Sequence, residues 1–180
     1  MSEEHFQAKD LEAFTSAAFE AAGLRREDAE IIAVDLVKAN LRGLDSHGIS
    51  RIPMYIERIR RGVVNPKPEI KVEQVAGAVS SVDGDDGMGF LASHIAMDEA
   101  MRLASEAGIG LVGVHRSTHF GMGALYVLQA LERDFVSMVF TNSSPALAMH
   151  GGRSAFLGAS PIAAGVPGGL NGAPFLMECP

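Results

Sequence analysis

A chain of 180 residues, 47% hydrophobic and 21% charged, can build one substantial domain with or without an appendage, and it is too apolar to stay disordered. A formal net charge of −7 argues against a nucleic-acid surface, which needs clustered Lys and Arg; the one basic run, Arg58 to Arg61, reads as a solvated helix end. Cys179 stands alone, which excludes an internal disulfide.

The acidic start Met1-Ser-Glu-Glu lacks the pattern of a secretory signal. Gly, Pro and polar residues interrupt every apolar run before the roughly 20 residues of a membrane-spanning helix. The expectation is a cytoplasmic protein with no membrane or nucleic-acid partner.

Three helical patterns come first. Asp10 to Ala22 sets Leu11, Phe14, Ala18 and Ala21 on one stripe, with Gly23 as its stop. Asp28 to Asn40 presents Ile32, Leu36 and Ala39. A third helix starts near Ser50, because Pro53 has no amide hydrogen and fits only a first turn. It presents Ile52, Tyr55, Ile56 and Ile59, and Gly62 closes it.

The pattern then changes. Val63 to Glu69 carries two prolines and reads as an extended crossing segment. Ile70–Val75 and Ala78–Val82 read as short strands, and Asp83-Gly-Asp-Asp-Gly87 as a turn that lacks calcium-loop spacing. A helix follows over Leu91–Ala107, ended by Gly108. Next come a strand at Leu111–Val114, a helix over Gly123–Glu132 and a strand at Phe135–Phe140. From Asn142 the chain is rich in Gly, Pro, Ser and Ala, a loop punctuated by short strands such as Ala173–Met177. Because Pro174 to Pro180 looks like a strand entering a core, the sequence is expected to be an N-terminal fragment.

Reactive residue types are densest at Asp45-Ser-His-Gly48 with Arg51 and Tyr55. Arg51 and Tyr55 share a helix face, and His47 lies one further step of four back, so the three can point into one volume. A guanidinium offers paired donors to a carboxylate, a phenol adds a hydroxyl, and an imidazole moves a proton near neutral pH. That set suits a small carboxylic acid. The structural alternative is ordinary capping by Ser46 or Ser50.

A second cluster, Ser117-Thr-His-Phe-Gly-Met-Gly123, lies between a strand and a helix. Its glycines let a ligand approach the backbone, and a helix N-terminus favours phosphate oxygens. The third glycine of the dinucleotide fingerprint is missing, so a tight turn is an equal reading. His115 and His119 straddle a strand end and a loop, which does not suit zinc, and no metal site is expected. His94 and His150 have no partner that the sequence identifies.

Taken in order, Leu41-Arg-Gly-Leu-Asp-Ser-His-Gly-Ile-Ser-Arg51, Asn65-Pro66, Asp83-Gly-Asp, Gly87-Met-Gly89, Ser117-Thr-His-Phe-Gly121, Thr141-Asn142 and Gly151-Gly152 resemble the malate/L-lactate dehydrogenase family. That family also holds ureidoglycolate dehydrogenase and reductases of cyclic imino acids such as piperideine-2-carboxylate. The resemblance implies a mixed α/β fold, not a Rossmann fold: a helical N-terminal unit, then a mixed, largely antiparallel sheet domain, in a homodimer. It divides the chain into a substrate-side region, 1–75, and the first part of a nicotinamide-binding domain, 76–180. It implies hydride exchange between NAD or NADP and C2 of a small 2-hydroxy, 2-oxo or imino acid.

By the same resemblance Ser46 and His47 would form a proton relay with a later Asp, and Arg51 and Tyr55 would meet the substrate. His119 would be catalytic or cofactor-adjacent, Phe120, Gly121, Met122 and Gly123 would form the cofactor loop, and Ser143 would contact the nicotinamide. Two departures stand out. Gly158-Ala-Ser-Pro161 replaces a Gly-Thr-Asn-Pro pattern, and Met177-Glu-Cys-Pro180 replaces a strand ending in Asp-Met-Ala. The alternative to an enzyme is therefore a shortened, inactive relative that acts as a dimerisation or interaction module.

Overall fold

The computed structural model describes residues 5–169 and 172–179; the acidic start Met1–Glu4 and the terminal Pro180 lie outside them. The chain forms two compact units, 1–122 and 123–180.

The first unit opens with helices α1 (Ala8–Ala21) and α2 (Arg26–Leu41). The stripe of α2 is buried as its spacing predicts, with Ile32, Leu36 and Ala39 fully enclosed. The stripe expected on α1 is wrong at Phe14, which is 65% exposed, while Thr15, Ser16 and Phe19 turn inward. The α1 pattern fits two stripes about a quarter-turn apart, and hydrophobicity alone chose the wrong one.

Two 3-10 turns, Asp45–His47 and Ile49–Arg51, lead into α3 (Ile52–Arg60), with Pro53 in its first turn. Ile52, Tyr55 and Ile59 are its buried residues. The Val63–Glu69 segment is irregular, and Arg25 holds it by donating to the carbonyls of Pro68 (2.9 Å) and Lys67 (3.1 Å).

Strands β1 (Lys71–Ala76), β2 (Val79–Gly87) and β3 (Leu111–Ser117) form a sheet in that order. β1 runs antiparallel to β2, and β2 runs parallel to β3. The parallel pair needs a crossover, which α4 (Gly89–Ala107) supplies. Val82 packs there with Ala92 and Ala96, flanked by Ile70 and Val112. Gly108 ends α4 in the left-handed conformation.

The Asp83–Gly87 segment, expected as a turn, is the irregular end of β2, with positive φ at Asp85 and Asp86 and a register break against β3. Its carboxylates are neutralised in place. Arg116 donates to Asp83 (3.0 Å), Asp85 (2.9 Å) and Asp86 (3.0 Å), and the amide of Glu69 and the side chain of Asn65 reach Asp85. A polar, glycine-rich string can thus stay in a strand because a neighbouring strand carries its counter-charge.

The second unit holds α5 (Ala124–Leu131), a sheet of β4 (Ser137–Phe140), β7 (Ile162–Val166) and β8 (Phe175–Cys179) in the order β4-β7-β8, and a β5 (Leu147–Ala148)–β6 (Ala155–Leu157) pair. Among the described residues its pairings are all antiparallel. Residue alternation puts Ala163 and Gly165 inward, while Met138, Phe140, Ile162, Val166, Phe175 and Met177 are exposed. Their registers bring these six onto one sheet face. The expected mixed and largely antiparallel architecture is what the chain forms. Among the described residues no helix is long and apolar enough to cross a membrane.

Candidate active site

The turn that carries Ser46, His47 and Arg51 is held from behind by Asn40, near the end of α2. Asn40 donates to the Asp45 carboxylate and accepts from the Ile49 amide at 2.9 Å. Ser50 donates to the Asp45 carbonyl and Arg51 Nε to the Ser46 carbonyl. Neither Ser46 nor Ser50 caps α3 through its side chain, so the capping alternative does not describe this turn. Ser46 Oγ is instead hydrogen-bonded to His47 Nδ1 at 2.9 Å.

His119 arrives from the other side of the unit. β3 ends at Ser117, and the Thr118 hydroxyl donates to the Gly87 carbonyl at 2.9 Å. α4 starts directly beneath: a Cβ on Gly89 would overlap the Thr118 carbonyl, so only glycine lets the loop lie this close. Phe90 follows, fully buried, with its ring edge-on to Tyr55 at 5.8 Å and 80°.

These two supports bring four predicted residues together. Tyr55 Oη lies 2.7 Å from His119 Nδ1, and the rings of His47 and His119 stack at 5.8 Å and 28°. The Gly121 amide donates to the same Nδ1 at 3.2 Å. Tyr55 is 1% exposed, between Phe90 and Phe19. Burial raises its hydroxyl well above the ordinary tyrosine range, against the opposing pull of Arg51 and Arg58. Burial, and then the charges of His47, Arg51 and Arg58, bring His119 down to about 4, so its imidazole is uncharged at neutral pH.

Two contributors to this electrostatic setting were not foreseen. Arg58 lies in the basic run whose spacing suits a solvated helix end, yet its charge reaches both Tyr55 and His119. The sequence does carry the signal, since Arg51, Tyr55 and Arg58 stand at i, i+4 and i+7 on one helix face. Phe90, which backs Tyr55, has no signal beyond an apolar residue in a helix start.

The remaining predicted residues are distributed differently. Phe120 is half-buried and Met122 is buried in the first unit. Gly123 and Ser143 belong to the second. There the start of α5 is already occupied: Glu178 accepts from the amides of Gly123 (2.7 Å) and Ala124 (3.2 Å). The chain's own carboxylate thus takes the place the sequence suggested for a phosphate. Ser143 is exposed, and its Oγ accepts from the Ala159 amide at 2.8 Å.

A nicotinamide cofactor can be tested against this chemistry. The loop 118–123 carries no acid, and an uncharged imidazole stands in it, which fits the nicotinamide end. The pyrophosphate end finds no free amide pair at the start of α5. Among the described residues, no group of three or more His, Cys, Asp or Glu could hold a metal ion. A cleft of about 370 Å³ in the first unit, bounded by Arg25, Asp28, Pro68, Ile70 and His94, contains none of the predicted site residues.

The chain matches the model of the family described as malate/L-lactate dehydrogenase over residues 6–179. It is 40% identical over 141 residues to the L-sulfolactate dehydrogenase of Methanocaldococcus jannaschii, covering 78% of this chain and 41% of that protein. It is 34% identical over 147 residues to the ureidoglycolate dehydrogenase (NAD(+)) of Escherichia coli K12, covering 82% and 42%. Its fold superposes on the malate dehydrogenase structure of Pyrococcus horikoshii with a TM-score of 0.90 at 34% identity, covering 99% of this chain and 53% of that one. The chain spans less than half the length of the curated relatives it matches. It belongs to the malate/L-lactate dehydrogenase family.

Proposed function

We propose that the protein carrying this chain is an oxidoreductase that moves a hydride between NAD or NADP and C2 of a small 2-hydroxy or 2-oxo acid, of the malate, lactate, sulfolactate, ureidoglycolate or cyclic imino acid type. The observation that carries this reading is the stacking of His47 on His119, with Tyr55 hydrogen-bonded to His119 and the charge of Arg51 acting on the same ring. Relatives named as dehydrogenases of such acids support it. On the same reading, residues 1–75 form the substrate side and 76–180 the first part of the cofactor side.

When bound, the nicotinamide supplies or accepts the hydride; His119, Phe120, Gly121 and Met122 are the residues of the first unit that would hold it. Gly123 and Ser143 are the proposed cofactor residues of the second. Arg51 commits Nε to the Ser46 carbonyl, and among the described residues its other side-chain contact is a thioether at 3.9 Å, Met54 Sδ. Its terminal nitrogens can therefore clamp a carboxylate through paired donors. In the reducing direction C2 gains a hydride while its oxygen or nitrogen gains a proton. An uncharged His119 serves best as a hydrogen-bond donor to that atom, which leaves His47, bonded to Ser46, to deliver the proton. Proton delivery of this kind is worth roughly 10²–10⁴-fold in rate.

The exposed apolar face of the β4-β7-β8 sheet favours a second reading, an interaction or homodimerisation module without catalysis. Cofactor binding separates the two. NADH or NADPH fluorescence should change on mixing with the protein, and 2-oxo or cyclic imino acids should then oxidise the cofactor. Arg51→Lys should raise KM for the acid substrate by 10-fold or more, on the order of the loss of a bidentate pair. An unchanged KM removes Arg51 from the clamp, and no cofactor response removes the enzyme reading.

A further inference from the structure

The hydrogen bonds at His119 determine more than its position. A backbone amide can only donate, so Nδ1, which receives the Gly121 amide at 3.2 Å, must carry a lone pair and no proton. Tyr55 Oη, 2.7 Å from the same nitrogen, must then donate as well. With Nδ1 closed to a proton, an uncharged ring keeps its single N–H on Nε2.

Both donors are fixed from behind by one side chain. Phe90 packs edge-on against the Tyr55 ring, and a Cβ at position 121 would overlap the Phe90 ring. Gly121 also has φ +76°, so glycine is required there both for space and for backbone conformation. Tyr55 itself is 1% exposed and its hydroxyl is bonded to His119, which suits a residue that acts on substrate through His119.

We propose that Tyr55 is a positioning residue that, with the Gly121 amide, holds His119 in the Nε2–H tautomer, so that His119 offers the substrate a hydrogen-bond donor. The part of this that concerns substrate rests on the dehydrogenase reading above; the tautomer itself does not. The charged or titratable groups facing His119 are His47 and Arg51 from the turns, and Tyr55 and Arg58 from α3. All of these except Tyr55 act on the ring as charges, and none of them competes for Nδ1.

The test is long-range proton–nitrogen NMR of the imidazole nitrogens in this chain and in Tyr55→Phe, which keeps the ring and its packing on Phe90. In the parent, His119 Nδ1 should resonate as an unprotonated nitrogen and Nε2 as a protonated one. In Tyr55→Phe the two signals should move toward each other as the tautomers mix. A parent with Nδ1 protonated overturns the proposal, and so does a Tyr55→Phe spectrum identical to the parent. If Tyr55→Phe does not fold, a scalar coupling between the Tyr55 hydroxyl proton and Nδ1 in the parent decides, its absence overturning the proposal. Where the protein turns over a 2-oxo acid, Tyr55→Phe should lower kcat about 10-fold and leave KM within two-fold. A tautomer found as described in a protein that transfers no hydride would sink the dehydrogenase reading alone.

Discussion

His94 Nε2 lies 2.7 Å from Oδ2 of Asp35, and Asp35 is only 2% exposed on the face of α2 that meets α4. The sequence assigned His94 no partner, yet this contact joins the two helices that carry the first unit. Its two ends are not equivalent. The Asp35 side chain is 3% exposed and that of His94 25%, so a carboxylate that loses this contact has far less water within reach than the imidazole has. His94→Leu is therefore expected to cost about 3 kcal/mol, on the scale of breaking a buried pair, and Asp35→Asn about 1 kcal/mol, on the scale of one hydrogen bond. Urea unfolding of the two variants checks the order; equal losses would show that packing, not charge, dominates there.

Thr15 is fully buried on α1, and among the described residues its hydroxyl has no hydrogen-bond partner. An unsatisfied buried hydroxyl weakens the fold, and valine has nearly the same shape without it. Thr15→Val should stabilise the chain by about 1 kcal/mol. A lower melting temperature in the variant would mean that the hydroxyl is satisfied after all.

Much of this architecture was legible from spacing. Ile32, Leu36 and Ala39 announced the buried side of α2, Pro53 the first turn of α3, and Gly108 the end of α4. The meeting of His47, Arg51, Tyr55 and His119 was also legible, partly from the steps of four that separate His47, Arg51 and Tyr55 and partly from the ordered motifs. What spacing could not provide were contacts between residues far apart in the chain. Arg116 turning an acidic string into strand, Asp35 pairing with His94, and Phe90 holding both donors to His119 depend on tertiary neighbours. None leaves a periodic trace. Phe14 misled for the opposite reason: a large apolar residue looked inward by composition while the side that carries Thr15, Ser16 and Phe19 took the core.

Glu178 was hidden in the same way, although a lone acid in the apolar run Phe175 to Cys179 gave a hint. Strand alternation sends Leu176 and Glu178 to one side of β8, and there the carboxylate receives the amides of Gly123 and Ala124. It acts as a cap supplied from a distant strand, and its charge complements the positive end of α5. Glu178→Ala should cost about 1 kcal/mol, typical of a lost cap. It should also speed hydrogen exchange at Gly123 and Ala124 more than elsewhere in α5. Uniform acceleration along the helix would instead indicate general loosening.

The uncharged state of His119 gives stability a pH dependence whose sign can be worked out. Its folded value of about 4 lies below the ordinary imidazole value of 6.5, because burial and the charges of His47, Arg51 and Arg58 oppose a further positive charge. Between those two values the unfolded chain binds a proton at this residue that the folded chain refuses. Stability therefore rises as pH increases from 4 to 6.5 and is level above that, as far as this residue is concerned. The ring is half-buried, so solvent screens part of the effect, and the loss on acidification is on the order of 1–2 kcal/mol. His119→Gln keeps a polar side chain but has nothing to titrate. Unfolding followed at pH 4.5 and pH 7 should show a larger acid loss in the parent than in His119→Gln, and the difference should vanish between pH 7 and pH 8. Identical acid losses in the two proteins would mean that the folded ring accepts the proton as readily as the unfolded chain does.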